Sequence, residues 1–459
     1  MYTRRELLAG TSALLAVPAA PILAAAPPPD QFIRREGTRL VSGGRPFRYV
    51  GTNMWYAAYL GANAPYGNRD RLRRELDRVA GLGIQSVRIL GSSENSPLKN
   101  SVTPTFRDRS RNYSRTLLEG LDFALAEMGK RNIKAVIYLA NFWEWSGGFM
   151  TYLYWTNGGH YINMNDPAHP WPEFPDMSSG FYGSAPAVAL LNDYVRAVVG
   201  RTNSITGTRY ADDPAIQSWQ LANEPRPGVT PAVVQKHMAA YLKWIDGTAR
   251  LIKSIDRNHM VSTGSEGTQG CVENDQCAFD AHASPAIDYM TAHIWPQNWS
   301  WADPKDLAGT WPTTEKNTRD YFARQVAIAQ RLGKPLVVEE FGFPRDNGSF
   351  EPGSPTTYKD KFYALIFELA LANMKAGGPV AGTHFWAWSG EGRAQHPDHH
   401  FQPGDTSYVG DPPHEPQGWY GVFDVDASTQ AVIRDHAAAV KALPLTSPTI
   451  APRRGQRGF

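Results

Sequence analysis

The feature that most constrains this chain is a regular alternation. Eight short apolar runs, near 47–54, 84–90, 133–139, 216–222, 260–263, 289–293, 336–340 and 380–386, are separated mostly by stretches with helical spacing. In the stretch 70–82, Leu72, Leu76, Val79 and Leu82 share one helical face, and Gly83 ends it. Further helices are expected at 115–130, 188–203, 231–255, 315–332, 358–375 and 429–443, while the segment between the fifth and sixth strands reads as a loop. Strands alternating with helices predict an α/β fold: a parallel sheet closed into a (β/α)8 TIM barrel. The connections entering strands are short and those leaving them are long, so loop length gathers at one end. Residues 31–48 read as a short N-terminal hairpin placed to plug the other end. Nothing marks a linker or an internal repeat, so 27–459 is expected to form a single domain.

Residues 1–26 read as an export signal of the twin-arginine type, with Arg4-Arg5 before an apolar run broken by Gly10, Pro18 and Pro21. A periplasmic or extracellular location follows as an expectation, with a retained membrane anchor as the alternative. No later stretch is long and apolar enough to span a bilayer. The two cysteines, Cys271 and Cys277, suit a local disulfide in an exported protein, with free thiols the other reading. A net charge of +2 gives no footprint for nucleic acid. The 14 Trp stand out, because several lie in loop-like contexts where a flat apolar ring suits the face of a sugar. Trp55, Trp143, Trp145, Trp155, Trp171, Trp299, Trp301 and Trp388 are candidates for such stacking.

The chemistry centres on residues 216–226, Ile-Gln-Ser-Trp-Gln-Leu-Ala-Asn-Glu-Pro-Arg. The first half alternates as a strand does, and Pro225 then ends the ladder and keeps Glu224 out of a helix. Asn223 and Glu224 therefore sit where a barrel strand leaves the sheet, the end that carries catalysis in this fold. A second acid appears in Leu336-Val337-Val338-Glu339-Glu340-Phe341-Gly342. Strict alternation sends Glu339 and Glu340 to opposite faces, so Glu340 is expected in the site and Glu339 in a surface ion pair.

Together these motifs resemble glycoside hydrolase family 5, most closely its β-mannanase branch. Gly51-Thr52-Asn53-Met54-Trp55, Ser86-Val87-Arg88, Asn141-Phe142-Trp143, 262–267, His293-Ile294-Trp295-Pro296 and His384-Phe385-Trp386 agree with it in order. The resemblance implies a general acid/base at Glu224 and a nucleophile at Glu340. It implies that Arg88 keeps the nucleophile ionised, that Asn223 bonds the sugar 2-hydroxyl, and that His293 and Trp386 line the site. Trp55 and Trp295 are taken as substrate-binding as well. Trp295 stands where the family usually has the tyrosine of His-x-Tyr; its indole can donate but not accept. The implied reaction is retaining hydrolysis of internal β-1,4 bonds in mannan, glucomannan or galactomannan, without a cofactor or catalytic metal. Glu224 is expected to rest protonated and Glu340 ionised.

A cellulase-type β-1,4-glucanase is the nearest alternative, and a non-catalytic carbohydrate-binding protein the one from another class. His396, His399, His400 and His414, with Asp398 and Asp411, form a cluster that could bind metal, although its spacing matches no known site. Glu144 and Glu266 also fall near strand ends and are expected to support the acids or bind sugar. An open groove would cut internal bonds, and a blocked one would trim ends.

Overall fold

The computed structural model describes residues 31–445. Strands β1 (Arg34–Glu36), β2 (Arg39–Ser42) and β3 (Arg45–Pro46) form a small antiparallel sheet. Eight parallel strands follow: β4 (Tyr49–Asn53), β5 (Ser86–Leu90), β6 (Lys134–Tyr138), β7 (Ile216–Gln220), β8 (Met260–Ser262), β9 (Met290–Ile294), β10 (Leu336–Phe341) and β11 (Val380–Phe385). They run in the order β8-β7-β6-β5-β4-β11-β10-β9, and a parallel bridge between Ser262 and Tyr289 joins the two ends into a barrel. A last pair, β12 (Trp388–Gly390) and β13 (Val422–Phe423), brackets the long loop after β11. All eight expected barrel strands are present. The export signal assigned to 1–26 lies outside the described residues. Among those described, no helix is long and apolar enough to cross a membrane.

The helices are α1 (Ala57–Gly61), α2 (Arg69–Gly81), α3 (Arg115–Lys130), α4 (Gly148–Thr156), α5 (Glu173–Ser178), α6 (Ala185–Val199), α7 (Pro231–Ile255), α8 (Asp275–Ala283), α9 (Leu307–Leu332), α10 (Thr357–Lys375) and α11 (Ala427–Lys441). The logic of α2 is typical. Asn68 caps it, accepting from the Arg71 amide at 2.9 Å. Its Leu72, Leu76 and Val79 are wholly buried, each worth roughly 1.5–3 kcal/mol relative to exposure.

The hairpin closes the barrel floor as expected. Ile33 and Leu40 pack with Tyr49, Met260, Tyr289, Val337 and Ala381, which lie at or near the entering ends of their strands. Three local expectations change. The loop holding the cysteines contains α8, capped by Asn274, whose side chain accepts from the Cys277 amide at 2.9 Å. Helix α9 begins before Pro312 rather than after it, because Asp306 caps its start. Cys271 and Cys277 are buried free thiols, not a disulfide. They lie close enough together for Cys277 to push the Cys271 thiol well above its usual range.

Candidate active site

The loops leaving the strands enclose a cavity of about 610 Å³, lined by Glu224 and Glu340 among others. Glu224 stands just past β7 in a left-handed conformation, φ +50°, a conformation that costs a non-glycine residue energy and recurs at functional sites. Its amide is held by the Gly264 carbonyl at 2.9 Å, and the neighbouring Asn223 amide by Ala140 at 2.9 Å. The turn that aims the acid is therefore fastened to both flanking strands.

Glu340 lies in β10 beside a register shift. Val338 pairs with Ala292, yet Glu340 pairs with His293, the next residue along β9. Glu339 is the extra residue of a bulge. The bulge overturns the expectation for Glu339, because two consecutive acids now point into the barrel. Glu339 is fully buried, accepts from Gln220 Nε2 at 2.5 Å and lies 3.6 Å from Arg88. Burial opposes its charge, but Arg88 and His293 outweigh that and hold its pKa below the usual value.

Arg88 does not line the cavity. It is wholly buried beneath it, donating to Glu340, to Asn223 Oδ1 at 2.8 Å, to Asn53 Oδ1 at 3.1 Å and to Gln220 Oε1 at 2.7 Å. Its guanidinium also lies over the Tyr138 ring at 4.4 Å. Arg88 is thus a positioning residue rather than a substrate ligand: one fork orients Glu340 and Asn223 together. Asn223 lines the cavity, and its amide donates to Asn141 Oδ1 at 3.2 Å.

The two acids meet. An oxygen of Glu224, an oxygen of Glu340 and a nitrogen of His293 all lie within 4.8 Å of one another. His293 Nδ1 is 2.7 Å from Glu224 Oε1 and 3.3 Å from Glu340 Oε2. These are donor types a cation could use, but Arg88 and a protonated His293 already supply positive charge. Burial works against the imidazolium, yet Glu340 and the bond to Glu224 raise its pKa to about 10.

The surroundings weigh on the two acids in opposite directions. Burial alone would raise Glu224, but His293, Arg226 and the Trp143 N–H lower it to about 2. Burial raises Glu340 to about 8, outweighing His293 and Arg88. Two carboxyls this close titrate as a pair and keep one proton between them.

The aromatic candidates divide. Trp143, Trp145, Trp171, Trp295, Trp299 and Trp386 line the cavity. Trp55 does not: it is fully buried against Tyr56, Tyr59, Trp145 and Tyr408, because α1 starts directly after it and the long loop after β11 folds over it. Trp155 and Trp388 are buried too. Trp295 packs edge-on against Trp386, with ring centres 5.9 Å apart. Gly342 makes room for it, since a Cβ there would come within 2.6 Å of the indole.

Some functional contacts had no clear signal in the sequence. Trp143 Nε1 donates to Glu224 Oε2 at 2.5 Å. Arg226 lies over the Trp143 ring at 5.0 Å and grips Glu266 with two bonds of 2.6 and 2.7 Å. Of the clustered histidines only His414 reaches the cavity. His396 pairs with Asp405, and His399 with Glu351 and the Gln417 carbonyl. Glu415, beside His414, also lines the cavity, and Glu144 is buried close enough for His414 to affect its charge.

Comparison with known proteins agrees with this geometry. The family model for glycoside hydrolase family 5 β-mannosidase-like proteins matches residues 30–444. A putative mannan endo-1,4-β-mannosidase 9 of Oryza sativa subsp. japonica is 30% identical over 403 residues, spanning 83% of this chain and 89% of its own. Mannan endo-1,4-β-mannosidase 1 of Arabidopsis thaliana is 27% identical over 370 residues, 77% of this chain and 81% of its own. The crystal structure of a family 5 mannosidase from Rhizomucor miehei superposes with a TM-score of 0.82 at 31% identity, covering 90% of this chain and 99% of that one. A match of this extent, joined to two acids meeting at the strand ends of a barrel, places the chain among the glycoside hydrolases: it belongs to the β-mannosidase-like family 5.

Proposed function

We propose that this chain hydrolyses β-1,4-mannosidic bonds, in mannan, glucomannan, galactomannan or the oligosaccharides derived from them, with net retention of configuration. The observation that carries the proposal is the gap of 4.8 Å or less between Glu224, His293 and Glu340. Retaining enzymes hold their carboxyls ~5 Å apart so that one attacks directly, whereas inverting enzymes leave room for a water.

In this reading Glu340 is the nucleophile. A sugar seated over it favours its ionised form beside Arg88. The proton that the pair shares then sits on Glu224, while the His293 imidazolium stays within reach of both acids. Glu224 then protonates the leaving oxygen while Glu340 forms a glycosyl ester. In the second half Glu224 deprotonates a water, which releases the sugar. Asn223, held by Arg88, bonds the 2-hydroxyl. Arg88 and His293 serve Glu340 where the family tyrosine is absent. Trp386 lies under the reacting sugar.

NMR of the first products tests the scheme: retained anomers support it, and inverted anomers sink it. Comparing rates on linear mannan and soluble cellulose separates it from the glucanase alternative. The likeness to plant mannan endo-1,4-β-mannosidases favours cutting at internal bonds. A second reading, removal of terminal units, is favoured by the loop after β11, which brings His414 and Glu415 into the cavity with polar atoms unpaired. Mannose as the first product of linear mannan supports the second, and a ladder of oligosaccharides the first. Export through the 1–26 segment fits either, since polysaccharide substrates stay outside the cell.

A further inference from the structure

We infer that Cys271 and Cys277 are a site of disulfide formation, an oxidisable pair that ties one wall of the cavity to α8. The local fold brings them together. The Asn274 amide donates to the Cys271 carbonyl at 3.0 Å, while the Asn274 side chain accepts from the Cys277 amide at 2.9 Å. One residue thus closes the turn between them. Val272 and Glu273 take left-handed conformations, φ +52° and +54°, which reverse the chain within a few residues. Arg324 fixes the reversal by donating to the Glu273 carbonyl and to Asp275. The two thiols end on the wall of one cavity, near enough for each to weigh on the other's charge.

The pair is buried but reachable. Both cysteines line a second cavity of about 510 Å³, walled by Pro231, Val234, Met238 and Val272 and distinct from the catalytic one. Cys277 is the more exposed of the two, at 6% against 0%. A small soluble disulfide of the oxidised-glutathione type fits the chemistry as oxidant. The Cys277 thiolate attacks one of its sulfurs, forming a mixed disulfide and expelling one thiol. Cys271, its proton lost to solvent, attacks the Cys277 sulfur and expels the second. The protein gives up two electrons and two protons, and the oxidant becomes two thiols. The Cys277 contact and burial hold Cys271 well above the ordinary thiol range, so the reaction is slow at neutral pH and faster in alkali.

The bond would act on the catalytic wall through a short path. Cys271 ends the turn Gln269–Cys271, whose Gln269 lines the catalytic cavity. A Cβ on Gly270 would lie 3.3 Å from Glu266 Oε2, so this turn packs directly behind the Arg226–Glu266 pair. Joining Cys271 to Cys277 restrains it from the rear.

The test uses the full chain, incubated with oxidised glutathione, then alkylated in denaturant and weighed. The expected result is a mass about 2 Da below that of the reduced chain, no alkyl adduct, and a peptide map joining 271 to 277. The oxidised chain should also outlast the reduced one on heating. The Cys271→Ser/Cys277→Ser chain should show neither change and should inactivate at the rate of the reduced chain. Two alkyl groups after oxidation, or glutathione retained on Cys277 without a cross-link, overturn the inference. The mass readout does not depend on hydrolysis, so its failure and that of the proposed function are separable.

Discussion

The residues lining the catalytic cavity fall into two groups that differ in how their polar atoms are spent. In the first, every contact is made within the protein: Trp143 donates to Glu224, and Arg226 saturates Glu266. In the second, the partners are missing. Trp386 Nε1, His414 Nδ1 and Glu415 Oε2 are buried without a hydrogen-bond partner among the described residues. An unpaired buried polar atom costs ~1–3 kcal/mol, so a fold retains several at one place only for a reason. The contrast separates two tasks. The paired group is fixed before substrate arrives and sets charge and geometry. The unpaired group is complete only when sugar hydroxyls supply its partners. Substitutions in the first should therefore lower kcat, and substitutions in the second should raise KM.

The largest effect is expected at Glu340. Glu340→Ala should reduce kcat by roughly 10⁵-fold while the circular dichroism spectrum is unchanged. Turnover within tenfold of the parent would break the division at its centre. Glu224→Gln should cost ~10²–10⁴-fold on mannan. The loss should nearly vanish in the first chemical step with an aryl mannoside whose acidic phenol leaves unaided. An equal loss on both substrates would mean that Glu224 is not the acid.

The pair's shared proton gives a pH prediction of the next size. Glu340 is raised to about 8 and Glu224 lowered to about 2. Between those limits the pair holds the one proton that the reaction uses. Above about pH 8 that proton leaves, no acid remains, and kcat/KM should fall tenfold per unit. A profile already falling between pH 5 and 6 would place the proton differently.

Much of this layout is legible in the chain, and the failures have physical causes. The eight strands show because each is a short apolar run with Gly or Pro near its borders, and Pro225 marks where the fourth ends. Glu224 and Glu340 show because a barrel strand rarely carries acids without use. Glu339 misled because alternation assumes a regular ladder, and the bulge in β10 lies in the pairing with β9, invisible in one strand alone. Trp55 misled because its burial is imposed by Tyr408, more than three hundred residues onward, through a loop with no periodic pattern. The sharing of one proton between the acids had no signal in the chain, because it depends on how closely His293 lies to both, a matter of ångströms. His414 could not be told from its neighbours, since only tertiary folding turns it inward.

Within the unpaired group, Glu415→Gln is expected to raise KM for manno-oligosaccharides about tenfold, equivalent to losing one well-made buried hydrogen bond, with kcat little changed. Burial holds the Glu415 carboxyl well above its usual range, so it can also donate to a sugar oxygen. A fall in kcat at constant KM would move Glu415 into the catalytic group.

The smallest effect sharpens the boundary between the groups. Trp171 is 61% exposed, yet it stacks on Trp143 with ring centres 6.4 Å apart and planes 23° from parallel. A large indole left in water at the cavity rim gains by being covered, and the flat face of a sugar covers it. Its neighbour Trp143 bonds the proposed acid, so a sugar on Trp171 belongs to the leaving-group side. Trp171→Ala should then raise KM severalfold, about 0.5–1.5 kcal/mol, for substrates with two or more sugars beyond the cleaved bond. An aryl mannoside, which carries no sugar that far, should be cleaved as before. If both substrates suffer alike, Trp171 acts through Trp143 on Glu224 and belongs with the fixed machinery instead.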